Sequence, residues 1–349
     1  MFPNVRVLIT GGAGFIGSSI AVGLASRQPS WEIVAADNLF RRGSELNLPR
    51  LKEAGVAFVH ADVRHREDLD RVGDLDALVE CSAEPSVLAG GDVIVPVNLS
   101  GAYHCFELAR AHGAQVVFLS TSRVYPIAAI ERLAYKETDT RFELAGEQET
   151  AGASAEGIAE SFPLAGQRTM YGASKLAAEI LLAEYDLPWV VNRCGVVAGP
   201  WQMGKVDQGV FTHWMLSFYF GRELAYIGYG GRGKQVRDLL HVADLVDLVE
   251  DQLLRPRHWA GRTFNVGGGR AHSLSLMETT ALCRELTGRN LQIRSVEQTR
   301  PGDVPVYLSD CMMLFAHTDW RPKRDARTVL GDLYTWIHDH ERLLRAALS

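Results

Sequence analysis

The stretch that most narrows what this chain can fold into lies at its start. Residues 5–10, Val-Arg-Val-Leu-Ile-Thr, run without a break into Gly11-Gly12-Ala13-Gly14-Phe15-Ile16-Gly17. A short β-branched apolar run suits a parallel strand covered on both faces, and residues 18–26 carry apolar positions at helical spacing. Gly12, Gly14 and Gly17 meet the G-x-G-x-x-G pattern: one glycine for the tight turn, one to admit a pyrophosphate against the backbone, one for close packing of helix on strand. The helix start then offers free N–H groups and a partial positive charge to the phosphates. A second run, residues 31–36, ends in Asp37, 20 positions after Gly17. An acidic side chain there holds ribose hydroxyls and repels a 2′-phosphate, which favours NAD over NADP. Arg41 and Arg42 soften that preference, since either could reach a 2′-phosphate.

Further strands are expected at 56–60, followed by Asp62 where an adenine amino group would lie, at 75–81 and at 115–119, with a helix over 97–112 between the last two. A sixth is expected at 187–192. Strands alternating with helices at this spacing mean an α/β fold with a doubly wound parallel sheet, whose ligands bind beyond the strand C-termini. Residues 235–241 are expected to return to that sheet.

At 349 residues and 38.5 kDa the chain is long enough to divide into two lobes. Its net charge of -6 provides no basic field for nucleic acid. Nothing at the N-terminus resembles a leader, and no run approaches the ~18 to 20 apolar residues of a membrane span, so a cytoplasmic protein is expected. The five cysteines are never closer than 24 positions, which suits neither a disulfide frame nor a metal knuckle. The histidines offer no metal site either.

Tyr171 and Lys175 form a Tyr-x-x-x-Lys pair ahead of an apolar helical run. Positions four apart on a helix lie about 6 Å from each other on one face, so the ammonium can sit beside the phenol. A phenol starts near pKa ~10, and service as a base near neutrality needs about 4 kcal/mol of preferential stabilisation of the phenolate. A lysine cation in a partly dry cleft supplies that kind of field.

Residues 127–168 break the strand–helix alternation. Between 131 and 160 there are eight acidic and three basic residues, a balance of -5. The composition reads as a mobile surface insertion, with a lid over the substrate as the sharper alternative. Beyond it, Phe211, Trp214, Phe218, Tyr219 and Phe220 lie at helical spacing, either as core or as a platform for a base.

With the glycine loop, Asp37, Ser120-Thr121-Ser122-Arg123-Val124-Tyr125 and Tyr-x-x-x-Lys in this order, the chain resembles the extended short-chain dehydrogenase/reductase family of nucleotide-sugar epimerases and dehydratases. Within it the chain is similar to the CDP-paratose (CDP-tyvelose) 2-epimerases. The matches are Asp37-Asn38-Leu39-Phe40-Arg41-Arg42-Gly43, Lys136-Glu137-Thr138-Asp139-Thr140-Arg141-Phe142, Asp207-Gln208-Gly209, Gly233-Lys234-Gln235-Val236-Arg237-Asp238 and Ser273-Leu274-Ser275-Leu276.

The resemblance implies a Rossmann domain over 1–195 and 236–268, and a smaller α+β nucleotide-sugar domain over 196–235 and 269–349. It implies Thr121, Tyr171 and Lys175 as catalytic residues. NAD would be held by Gly11, Gly12, Gly14, Phe15, Ile16, Gly17, Asp37, Asn38, Arg42, Asp62, Val63, Cys81, Ser82, Ala83, Asn98, Tyr171 and Lys175. A nucleotide-diphosphate sugar would meet Glu84, Thr121, Ser122, Arg123, Gln208, Arg237, Arg300 and Asp303, the arginines gripping the diphosphate. It also implies a homodimer through helices near 98–112 and 171–185, although the Leu176, Ile180, Leu181 face would equally pack on the sheet.

Three departures stand out: Glu80-Cys81-Ser82-Ala83-Glu84 replaces a more usual His-Leu-Ala-Gly/Ala-Gln, Pro126 follows Tyr125, and Val196 stands where a polar sugar contact is common. The implied chemistry is oxidation of a sugar carbinol to a keto-sugar and re-reduction on the other face, at C2 of a CDP-3,6-dideoxyhexose. UDP-sugar 4-epimerase and UDP-glucuronate decarboxylase are the enzyme alternatives. A 4,6-dehydratase ranks lower, since Ser122 and Arg123 stand where its added acid and base belong. An NAD-sensing regulatory protein is the non-enzyme alternative, one that would be expected to lose the tyrosine or the lysine.

Overall fold

A computed structural model of the chain describes residues 5–86, 89–204 and 208–348. Asp207, in one of the family matches, lies outside them. The chain divides into two compact units, the first comprising the chain up to Thr121 with Met170–Arg193 and Leu245–Thr263, the second comprising Ser122–Thr169, Cys194–Asp244 and the chain from Phe264 onward.

The first unit is built on a sheet of seven strands, the last two of which run on into residues of the second: β1 (Arg6–Thr10), β2 (Glu32–Asp37), β3 (Ala57–His60), β4 (Ala77–Glu80), β5 (Gln115–Thr121), β6 (Trp189–Cys194) and β7 (Arg262–Val266). Their order across the sheet is β7-β6-β5-β4-β1-β2-β3. β1 pairs in parallel with β2 on one side and β4 on the other, Val7 standing opposite Ile33 and Ala77. The order reverses direction at β1, and a doubly wound sheet opens its ligand crevice at such a switch point. All seven residues of β5 are buried, as a strand covered on both faces requires. Leu8, Val34, Leu78, Val116 and Phe118 belong to one apolar cluster with Phe106 from the Ala102–His112 helix.

Six of these strands stand where the sequence places them. β7 goes unread because its short Arg-Thr-Phe-Asn-Val run has no distinct period and gains its stability from a distant partner.

The second unit carries its own small sheet, in which Val236–His241 pairs in parallel with Val196–Ala198 and Val306–Tyr307 and antiparallel with Ser273–Ser275. This corrects the expectation that residues 235–241 rejoin the large sheet. Val236, Leu239 and Leu240 are fully buried, so the run has the signature of an interior strand, but burial pattern does not say which sheet the strand joins. The aromatic helix Val210–Phe220 puts Phe211, Trp214 and Phe218 into the apolar core of this unit, together with Leu330, Leu333 and Ile337 of the Ala326–Asp339 helix. Trp214 donates to Thr280 Oγ1 at 2.9 Å. These three aromatic residues are core rather than a base-stacking platform.

Residues 122–169 group with the second unit, whereas the sequence assigned them to the first, and they carry defined structure. Tyr135–Glu137 and Phe142–Leu144 form a hairpin. Phe142 N donates to Lys234 O at 2.9 Å, Glu137 pairs with Lys234 at 2.9 Å and with Arg232, and Arg141 lies 3.4 Å from Glu278. Ile158 N donates to Leu308 O at 2.9 Å. Within the acidic run that suggested a solvated insertion, Glu137 thus has cationic partners about a hundred residues away, which local composition does not reveal. No helix among the described residues is long and apolar enough to cross a membrane.

Asp238 gives this unit a pH-dependent element. Its carboxyl is fully buried, Oδ2 accepts from Gly269 N at 3.2 Å and Ser309 N at 3.3 Å, and burial pushes its pKa from 3.8 up to about 6. A carboxyl whose pKa is higher in the folded chain stabilises the fold below its unfolded value, and that contribution is lost as pH rises through about 6. The loss amounts to about 3 kcal/mol. Asp238→Asn removes the titration, so the stability of the variant relative to wild type is expected to rise by about that much between pH 4 and pH 7 in urea unfolding. A constant difference across that range would contradict this.

Candidate active site

The glycine turn forms at the end of β1. Gly11 adopts φ +61, and Gly17 lies so close to it that a Cβ on Gly17 would meet Gly11 O at 2.2 Å. The helix Phe15–Arg27 starts at Gly14 with no side-chain cap, which leaves the N–H groups of that end to a ligand. At the end of β2, Asp37 accepts from Ala13 N at 3.1 Å and Leu39 N at 2.8 Å, tying the glycine turn to the second strand. Burial pushes the Asp37 carboxyl above its ordinary range, opposed by those N–H donors. Leu39 takes φ +55, an uncommon value for a non-glycine residue, with its N–H anchored on Asp37. Arg42 is exposed. These features fit a dinucleotide: an uncapped helix start for the pyrophosphate and a carboxylate beside it for the ribose.

Asp62, expected near an adenine, is held by Arg64 at 2.6 Å and by Asn38 Nδ2 at 2.9 Å, and the guanidinium keeps its carboxyl well below the usual range. Asn98 is buried and braces the β4 loop: its amide accepts from Glu84 N at 2.7 Å and donates to Glu84 O at 3.0 Å and Ser174 Oγ at 3.2 Å. Glu84 Oε1 in turn accepts from Ser86 N at 3.0 Å. Asn98 and Glu84 therefore shape the loop through each other as well as lining it.

The helix Met170–Ala183 places Tyr171, Lys175 and Glu179 at four-residue intervals on one stripe. Tyr171 is half-buried at its first turn. Lys175, 2% exposed, donates to Glu80 Oε2 at 3.3 Å and Ser82 O at 3.4 Å, with its ammonium 4.4 Å from the Phe118 ring. Glu179 receives Arg193 at 2.7 Å and the Ser120 hydroxyl. One stripe of the helix is thus fastened to β4 through Glu80, to β5 through Ser120 and to β6 through Arg193. Thr121, buried, follows Ser120 directly, so the link that fixes the helix also fixes Thr121. Glu80, Glu179 and Arg193 were not singled out from the sequence as site residues. The only signal was the departure at Glu80, where an acid replaces the family's histidine.

In the second unit, Ser122, Arg123, Tyr125, Val196, Arg237 and Tyr307 line a small cleft, with Ile127, Ile130 and Val304 adding apolar surface. Arg237 donates to Asp303 Oδ1 at 2.5 Å, Val304 O at 2.7 Å and Val236 O at 2.8 Å. Arg123 donates to Gly302 O at 2.7 Å. Arg300 is half-buried in the same loop, its carbonyl accepting from Asp303 N at 3.2 Å. Gln208 is half-buried just before the aromatic helix. Among the described residues, no group of His, Cys, Asp and Glu is arranged to hold a metal.

The chain matches the NAD dependent epimerase/dehydratase family over residues 7–267. It is 29% identical over 353 residues to the CDP-paratose 2-epimerase of Salmonella typhi, covering 95% of this chain and 99% of that protein. To the UDP-glucose 4-epimerase of Bacillus subtilis (strain 168) it is 27% identical, covering 95% and 96%. Its fold superposes on the Thermus thermophilus UDP-glucose 4-epimerase in complex with NAD with a TM-score of 0.75, at 26% identity, covering 96% of this chain and 99% of that one. A match running from β1 through β7, with the glycine turn and the Tyr171–Lys175 helix inside it, leads to one conclusion: the chain belongs to the NAD dependent epimerase/dehydratase family.

Proposed function

We propose that the protein inverts C2 of a CDP-3,6-dideoxyhexose of the paratose/tyvelose type, by transient oxidation to a keto-sugar and re-reduction on the opposite face. The observation that carries this reading is the 29% identity to a CDP-paratose 2-epimerase over nearly the full length of both chains. The cleft supports it: Ile127, Ile130, Val196 and Val304 give an apolar wall suited to a sugar lacking two hydroxyls.

NAD would be held by the glycine turn and Asp37, and when bound would supply the acceptor and later the donor of the carbon-bound hydrogen. Tyr171 as phenolate takes the proton from the C2 hydroxyl and returns it after the sugar has turned. Lys175 stabilises that phenolate and holds the nicotinamide ribose. Thr121 donates to the reacting oxygen, a contact worth about 2 to 4 kcal/mol where such groups have been removed elsewhere. Arg237 and Arg300 grip the diphosphate. Arg237 uses donors beyond the three that face Val236, Asp303 and Val304, since a guanidinium carries five.

A homodimer belongs to the same reading. Ile180 is 61% exposed, and Leu181 and Tyr103 are exposed as well, on the two helices the family resemblance points to. Sedimentation as a monomer at all concentrations would remove it.

The test is proton NMR of the purified protein, without added cofactor, incubated in turn with CDP-paratose, CDP-tyvelose, UDP-glucose and UDP-glucuronate. Conversion of either CDP sugar to a two-epimer mixture is expected. Turnover of a UDP sugar alone would move the assignment to a 4-epimerase or decarboxylase.

A further inference from the structure

The carboxylate beside Lys175 has no part in the chemistry just described, yet it is wholly buried. Glu80 is 0% exposed at the end of β4, and the Lys175–Glu80 pair buries both charges, with 2% and 1% of the side chains accessible. One Glu80 oxygen accepts from Lys175 Nζ at 3.3 Å and the other from the Ser82 hydroxyl. Ser82 O also accepts from Lys175 at 3.4 Å, and the Phe118 ring closes a third side of the ammonium.

We propose that Glu80 is a positioning residue for Lys175, one that also sets the pH at which the Tyr171–Lys175 pair gives up its working proton. The proposal rests on the reading of Tyr171 as base. With Glu80 ionised, the set Tyr171, Lys175 and Glu80 goes from neutral to -1 when that proton leaves. Without the carboxylate it goes from +1 to neutral. In a buried, weakly screened place the first change costs more, whichever of Tyr171 and Lys175 is taken to keep the remaining proton. Glu80 therefore holds the ammonium in place and delays proton loss to higher pH.

The neighbouring groups leave this balance intact. Cys105, from the Ala102–His112 helix, has its thiol pushed well up by burial and by Glu80, so it stays neutral. Thr10, on β1, lies near that thiol and carries no charge. Glu179, one turn beyond Lys175, is neutralised by Arg193 at 2.7 Å. Arg66, which acts on the Cys105 thiol, pairs with Asp70 at 3.1 Å.

The experiment compares pH–rate profiles of wild type and Glu80→Gln, with thermal midpoints of wild type, Glu80→Gln, Lys175→Met and the double variant. The acidic limb of kcat is expected to move to lower pH by about one unit in Glu80→Gln. A limb at the wild-type pH overturns the proposal. In the thermal cycle each single variant leaves one buried charge unpaired and lowers the midpoint, whereas the double variant is expected to recover most of the loss. Additive losses overturn the pairing even if Glu80→Gln is too unstable to assay. Failure of the reading beneath the proposal looks different: wild type then turns over no nucleotide sugar, while the thermal cycle still judges the pair.

Discussion

Tyr171→Phe is expected to lower turnover by about 10²- to 10⁴-fold while the protein keeps its NAD, because on the proposed mechanism the lost oxygen carries the proton transfer. On the proposed reading the dinucleotide is held by the turn after β1, by the uncapped start of the Phe15–Arg27 helix and by Asp37, none of which involves that hydroxyl. The helix keeps its anchors through Lys175 and Glu179. Phenylalanine keeps the ring and hence the packing. The check is the rate of epimer interconversion together with the ratio of released NAD to protein after denaturation. Loss of both would make Tyr171 a binding or folding residue, and full activity would remove it from the chemistry.

Gly17→Ala is expected to empty the cofactor site. The added Cβ would meet Gly11 O at 2.2 Å, Gly11 C at 2.8 Å and Gly12 Cα at 2.9 Å, all of them backbone atoms. No side chain is available to swing aside, so the turn must open, and the N–H groups proposed to receive the pyrophosphate open with it. Overpacking of this kind costs about 1–3 kcal/mol or more. Gly331, inside the Ala326–Asp339 helix, is the matched control, since a Cβ there meets nothing within 4 Å. Gly331→Ala is expected to stabilise the helix by about 0.5–1 kcal/mol and to leave NAD content unchanged. Equal NAD content in the two variants would show that the turn tolerates the methyl and that the pyrophosphate does not rest there.

What the sequence discloses follows the range of the forces involved. The turn from β1 into the Phe15–Arg27 helix is legible because steric demands at Gly11 and Gly17 act within a few residues. The Tyr171–Lys175 spacing is legible because one helical turn is local. The partners of Lys175 and Glu179 are not: Glu80 lies 95 positions from Lys175, and Ser120 lies 59 from Glu179. The same limit hides the hairpin at 135–144, whose acidic residues look solvated until Arg232 and Lys234 are brought to Glu137. It also sends Val236–His241 to the wrong sheet on paper, since an apolar run specifies burial and leaves the pairing partner open.

The central claim is that the carbon-bound hydrogen leaves and returns within the protein, with Tyr171 handling only the hydroxyl proton. CDP-paratose carrying deuterium at C2, turned over in ordinary water and followed by NMR, tests it most directly. The account predicts CDP-tyvelose that keeps the deuterium at C2. A product carrying hydrogen from solvent at that carbon would mean inversion by proton abstraction, and would contradict the account.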